Sequence, residues 1–415
     1  MRVYQFRHQR AARIVAGAYC RTVRALCESA VEAALAAGAA YADARALSRR
    51  TQRVETKNGR VDTLSDDESE GIGVRVLVAG AWGFACDRRL SDGGAREAAR
   101  RACSFARAAP GAHERSLAPL EARTGIYRTP LVRDPFDVSL AEKVGLCLRA
   151  EAALEHAAVT IRSANVRAQR DHKVFVSSEG ASVEQELVEC GGGIDAIATG
   201  EGLYQIRSYP SAHSGSSAQA GWEYVERLGL VDAAPRVAEQ AAALLRADRC
   251  PAGRTTVVID AEQMQLQVHE SVGHPTELDR IYGTEAAYAG TSFLSPGDLG
   301  SLRYGSEQMN VTADPTTPAG LGSFGFDDEG VPAARQPVVE AGVLRGFLTS
   351  RETAARIGAG SGGSMRADGW SRMPLVRMTN LHLEPGECSF EELLDGVDAG
   401  IYLETNRTGR STTSG

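Results

Sequence analysis

The stretch Gly73-Val74-Arg75-Val76-Leu77-Val78-Ala79-Gly80-Ala81-Trp82-Gly83-Phe84-Ala85 decides the fold class. Its β-branched and aromatic residues suit strands, and Ala79-Gly80 between the two runs reads as the turn of a hairpin. Working upstream, Asp43 to Arg53 alternates in part, and Lys57-Asn58-Gly59-Arg60 carries the Asn-Gly hairpin signal. Val23, Leu26, Ala30, Ala33, Ala34 and Ala37 recur at helical spacing across residues 22–39, with Gly38 as the stop. Ala95 to Ala109 returns to a helix. Helix, antiparallel strands and helix make an α+β unit.

A second unit follows a linker containing Pro110, Pro119, Pro130 and Pro135. Leu140 to Ala157 reads as an amphipathic helix. Val159 to Gln169, Lys173 to Ser178 and Ser182 to Val188 read as strands, with His172 in a tight turn and Glu179-Gly180 as another turn. Gly191-Gly192-Gly193 reads as a loosened stretch before a strand at Ile194 to Ala198, and residues 234–246 as a helix. The third region opens with a buried-type strand at Thr255 to Ile259 and a helix at Ala261 to Gly273 capped by Asp260. Beyond it come short strands such as Val338 to Glu340 and Val343 to Leu348 among Gly, Pro, Ser and Thr. The expected organisation is a disordered leader at 1–22, α+β domains at 23–134 and 135–250, and a β-rich domain with long loops at 251–415.

Composition excludes several classes. The chain has 415 residues, 43% hydrophobic and 24% charged, as in soluble globular proteins. A net charge of −7 argues against a nucleic-acid partner. No apolar run approaches the roughly 18 residues that span a bilayer, so no membrane association is expected. Eight cysteines without a CxxC pair read as free thiols of an intracellular protein. Cys103 and Cys147, both on helices, read as small buried hydrophobes.

The chemistry lies in His269-Glu270-Ser271-Val272-Gly273-His274. Imidazoles are ligands for a borderline-soft ion such as zinc, and a glutamate beside the first can take a proton from a bound water. The spacing is unusual. At about 100° per residue, histidines four apart sit about 40° from each other and five apart about 140°, too far for a straight helix. Gly273 permits departure from helical angles and Pro275 biases His274 away from them; a π-bulge, which adds a residue to the turn, has the same effect. His8, His113, His156 and His213 read as solvated, and His382 as a strand residue. Gly358 to Gly363 lacks the lysine and the strand-to-helix setting of a phosphate loop.

The text around the motif resembles the TldD/PmbA family of metallopeptidases. The resemblance runs through His269 to Arg280, Tyr288 to Phe293, Gly300 to Gly305, Phe326 to Pro332, Pro374 to Asn380 and Glu384 to Gly386, and covers roughly residues 23–407. It implies a cytoplasmic zinc peptidase acting on unfolded peptides, paired with a paralogous PmbA-like subunit or assembled as a homo-oligomer. It assigns His269 and His274 to Zn2+ and Glu270 to general-base catalysis. The strand around Arg377 and Asn380 is a candidate for holding an extended substrate by strand addition. The family's third ligand is a cysteine near the C-terminus. Here the familiar text stops after Asn406-Arg407, and Thr408 to Gly415 reads as foreign, as if the catalytic domain were truncated. Cys388 is a poor substitute. Weak zinc binding and low activity are the resulting expectation. The alternatives are a non-catalytic peptide-binding partner and an inactive truncated product.

Overall fold

The computed structural model describes residues 22–109, 115–287 and 290–405. Nearly all of the expected leader, His8, Pro110, His113, Tyr288, Ala289 and everything from Asn406 on fall outside these residues. After helix α1 (residues 22–36), strands β1 (Tyr41–Lys57), β2 (Arg60–Val78) and β3 (Ala81–Asp87) form a meander. Both of its turns sit at the expected dipeptides. Asn58 and Gly59 have φ of 48° and 78°, and Ala79 and Gly80 have 49° and 78°. Two consecutive positive φ values match the twist of flanking strands.

The two α+β units share one sheet. Strand β5 (Val159–Ser177) pairs antiparallel with β1 from Asp43 to Lys57, and β6 (Ser182–Gly200) pairs with β5. The far edge of β6 takes three short strands: β4 (Thr124–Arg128), β8 (Ser216–Ala218) and β7 (Leu203–Tyr209). Two local expectations are corrected here. His172 is in no turn; Arg170 to Lys173 lie within β5, paired with β1 on one side and β6 on the other. The triple glycine is likewise interior to β6. It supplies space rather than looseness, since a Cβ on Gly191 would lie 2.1 Å from Ser216 O and one on Gly193 2.4 Å from Ser214 O. The glycines let the 214–217 segment press onto the sheet.

Side chains alternate across a strand, so the sheet has two different faces. Ala44, Ala46, Val74, Val76 and Val174 meet α1 and α2 (Asp92–Ala108) in one alanine-rich core. Val54, Val166, Ala168, Ile194 and Ala196, also on this face, meet α3 (Leu140–Ala152), α4 (Trp222–Arg227) and α5 (Leu230–Leu244). The residues between them point to the opposite face and are largely charged: Asp43, Arg45, Arg49, Arg75 and Lys173. That face carries the third domain.

The third domain contains a parallel pair of β9 (Thr256–Ile259) with β16 (Gly400–Leu403). It also contains an antiparallel sheet of β10 (Val311–Ala313), β11 (Gln336–Glu340), β12 (Val343–Leu344) and β15 (Leu381–Leu383), and the ribbon of β13 (Met365–Arg366) with β14 (Leu375–Val376). Strand β9 is not buried as expected: Val257 is 44% exposed, because a two-stranded ribbon covers little of its own surface. The domain docks through Phe326-Asp327-Asp328-Glu329. Arg75 lies 2.6 Å from Asp43 and 3.0 Å from Glu329, all three buried. Lys173 lies 2.5 Å from Asp328, with Arg45 at 3.6 Å. Gln185 donates to Phe326 O and accepts from the N–H groups of Gly325 and Phe326.

Candidate metal centre

Helix α6 (Ala261–Val268) aims the motif. Asp260 caps it by accepting from Glu262 N at 2.9 Å. The helix then widens into one π-turn over His269–Gly273, closed by a bond from His274 N–H to His269 O. A turn with one extra residue returns His274 to the side of His269. The π-bulge is therefore the device, and the other two expectations are corrected. Gly273 keeps right-handed helical angles (φ −59°, ψ −68°), as does His274 (φ −60°, ψ −41°) despite the following proline. Glycine is required at 273 for space, since a Cβ there would sit 1.9 Å from Met378 Sδ. The widened turn is braced from outside. Thr276 Oγ1 donates to the carbonyls of Val272 and Gly273, and Tyr304 OH donates to Ser271 O.

The two imidazoles face one another edge to face, with planes at 88° and Nε2 atoms 3.1 Å apart. Glu277 fixes this arrangement from behind. Its fully buried carboxylate lies 2.9 Å from His274 Nδ1, and the same oxygen accepts from Arg280 Nε at 3.1 Å. A carboxylate held by a guanidinium is a strong acceptor for Nδ1–H, and that bond leaves the Nε2 lone pair free for a ligand. Burial, and the positive charge His274 can carry, lower the pKa of His269 and favour the neutral imidazole that binds metals. Glu270 joins the pair, with ligand-type atoms of all three within 4.8 Å of one another.

This donor set fits a zinc-type ion. Two nitrogens at about 2.0–2.1 Å from one tetrahedral ion lie about 3.3 Å apart, close to the separation seen. Among the described residues no further histidine or cysteine joins the group. Cys388 is exposed and lies just before Ser389, the cap of the short helix Phe390–Asp395, outside the cluster.

His269 stands at the edge of a cleft of about 440 Å³ between the two parts of the molecule. Gln265 and Leu266 of α6 form one wall; Asn165, Arg167 and the segment from Ser214 to Ser217 form the other. His213 lines the same cleft, a placement its loop sequence does not signal. Asn380 is engaged within its own domain: its amide donates to Asp314 O and Ser323 Oγ and accepts from Gly322 N. Arg377 donates to Val376 O and lies 3.6 Å from Glu285. His382 is on β15 and shares a 2.8 Å hydrogen bond with Thr317 Oγ1. Glu277 and Arg280 were legible in position, three and six residues after His274, but nothing in the spacing alone separates a histidine-orienting acid from a surface one. Asp279, between them, is raised to about 6, chiefly by burial, and accepts from Val376 N, tying β14 to the site.

Comparison with known proteins gives these features a family. Residues 42–106 match the PmbA/TldA metallopeptidase domain 1, residues 133–247 its central domain and residues 252–415 its C-terminal domain. The last match takes in Thr408 to Gly415, the stretch whose sequence reads as foreign to the family. A metalloprotease of Methanothermobacter thermautotrophicus is 33% identical over 374 residues, covering 90% of this chain and 78% of that protein. A protein of Saccharolobus solfataricus named a zinc metalloprotease TldD homolog is 27% identical over 169 residues, 40% of this chain and 35% of its own length. TldE from Thermococcus kodakarensis shares the fold with a TM-score of 0.70 at 16% identity, over 92% of this chain and 83% of that one. The chain belongs to the PmbA/TldD family of metallopeptidases.

Proposed function

We propose that this chain is the metal-bearing subunit of a cytoplasmic zinc peptidase that cuts unfolded or extended peptides, working with a paralogous PmbA-like subunit or a second copy of itself. The observation that carries the reading is the pair of Nε2 atoms, 3.1 Å apart, with Glu270 beside them. His269 and His274 would hold the ion, with Glu277 orienting His274. Zinc, when bound, polarises a carbonyl and makes water more acidic. Glu270 accepts the proton of the attacking water and can return it to the leaving amine. The open cleft beside His269 admits an extended chain better than a folded domain. Among the described residues no helix is long and apolar enough to cross a membrane, which agrees with a soluble setting.

The test is paired measurement of bound zinc and hydrolysis of an unstructured peptide by the wild type and Glu270→Gln, alone and with a paralogous subunit. The expected result is zinc on both proteins after supplementation and a loss of hydrolysis of about 10²–10⁴-fold in the variant. A second reading has its own observation. Two imidazoles leave the described site one protein ligand short of the usual three. Peptide binding without zinc uptake or cleavage, with or without a paralogue, would establish the non-catalytic partner instead.

A further inference from the structure

Arg167 differs from most cations on its side of the sheet in having no carboxylate partner among the described residues, a trait it shares with the exposed Arg53 opposite it. It lies in β5 opposite Arg53 of β1 and Gly191 of β6, on the face turned toward the third domain. On that face Arg45 and Lys173 are neutralised by Asp328, Arg49 by Asp171, and Arg75 by Asp43 and Glu329. Arg167 has a neutral hydroxyl instead. Its Nε donates to Ser217 Oγ at 2.8 Å, which fixes the side chain and leaves both terminal nitrogens without a partner among the described residues. Glu189 is the acid whose charge reaches it, but the two make no ion pair, and burial raises the Glu189 carboxyl toward its neutral form.

Arg167 lines the cleft that His269 also lines, and none of the described lining residues is acidic. Gly191 places no side chain beside it, and Asn165 Nδ2 donates to Ser214 O, holding the serine-rich segment as the adjoining wall. A guanidinium with free terminal nitrogens in an acid-free cleft matches the fork of a carboxylate.

We propose that Arg167 is a specificity-determining residue that binds a carboxylate of the peptide substrate, with the bond to be cut lying at His269 and Glu270. The carboxylate is either the C-terminus of the peptide or an acidic side chain. The choice of a peptide as ligand rests on the peptidase reading; the binding of a carboxylate at Arg167 does not.

The experiment measures binding rather than turnover, using the full chain carrying Glu270→Gln. Dansyl-labelled hexapeptides of Gly, Ala and Ser are titrated by fluorescence anisotropy, once as C-terminal acids and once as C-terminal amides. A further amidated pair carries a central Glu or Gln. The background protein should prefer one of the carboxylate peptides over its neutral twin by about tenfold, the scale of one charge-assisted bond. Arg167→Ala should abolish that preference while leaving the neutral twin's affinity unchanged, and Arg167→Lys should restore part of it. Which pair responds identifies the source of the carboxylate. Equal affinity for acid and neutral peptides in the background protein would overturn the proposal. So would an equal loss for both in Arg167→Ala with an unchanged melting temperature. A chain that never cleaves peptide but shows the Arg167-dependent preference refutes the peptidase reading and keeps this one.

Discussion

Two buried carboxylate clusters in the third domain, both tied to the ribbon of β13 and β14, serve different ends. In the docking loop each of the three acids is saturated. Asp327 accepts from Glu329 N, Val331 N and Met365 N; Asp328 pairs with Lys173 and Arg45; Glu329 pairs with Arg75 and accepts from Arg351 N. At the motif the acids are arranged to leave something open. Glu277 lies against His274 Nδ1 and accepts from Arg280 Nε, which leaves the two Nε2 atoms turned to each other at 3.1 Å, with no carboxylate on either. The difference teaches how to tell mortar from machinery when both are acidic and buried. Saturated acids join elements, whereas an acid that orients an imidazole at a cleft marks chemistry.

The sharpest way to break the comparison is to open the saturated cluster. Arg75→Ala leaves Asp43 and Glu329 buried without their counter-ion, and removing one partner of a buried pair costs about 3–5 kcal/mol. Urea unfolding should show a lower midpoint of that order, or separate transitions for the third domain and the sheet. A midpoint near that of the wild type would mean that the docking loop is not held by its charges. Glu277→Gln probes the other cluster at smaller cost. It keeps an acceptor for His274 but removes the charge and leaves Arg280 without its carboxylate. Zinc affinity measured against a competing chelator should fall about 10–100-fold, as for other outer-shell partners. Unchanged affinity would refute its orienting role.

How much of this was legible in the sequence follows the range of each interaction. The two hairpins were readable because Asn58-Gly59 and Ala79-Gly80 impose their angles locally. The His269–His274 spacing was readable too, since it permits few backbones, and the π-turn was among them. Strand β5 was split in the reading because Arg170-Asp171-His172-Lys173 is polar like a turn. Its partners, Asp328 for Lys173 and Glu184 for His172, come from other strands and another domain. The triple glycine misled for the same reason: the segment it accommodates is more than twenty residues downstream. Periodicity reports which face a residue is on, but not what lands on that face.

Acid supplies the mildest test, and its sign follows from Asp328. Burial alone would raise this carboxyl, but Lys173 and Arg45 outweigh it and hold the group at about 2 instead of 3.8. A folded-state value below the unfolded one means that the unfolded chain binds protons first as the pH falls. The stabilisation is therefore fully present above the unfolded value, fades as the pH drops from about 4 to 2, and amounts to about 2 kcal/mol. Asp328→Asn should flatten that part of the stability curve, lowering stability at pH 6 while changing it little at pH 2. Zinc-free protein is the right material, because metal release in acid would otherwise add its own slope. If the variant and wild type lose stability in parallel between pH 4 and 2, the docking loop does not govern acid unfolding, and the contrast between the two clusters fails on its structural side.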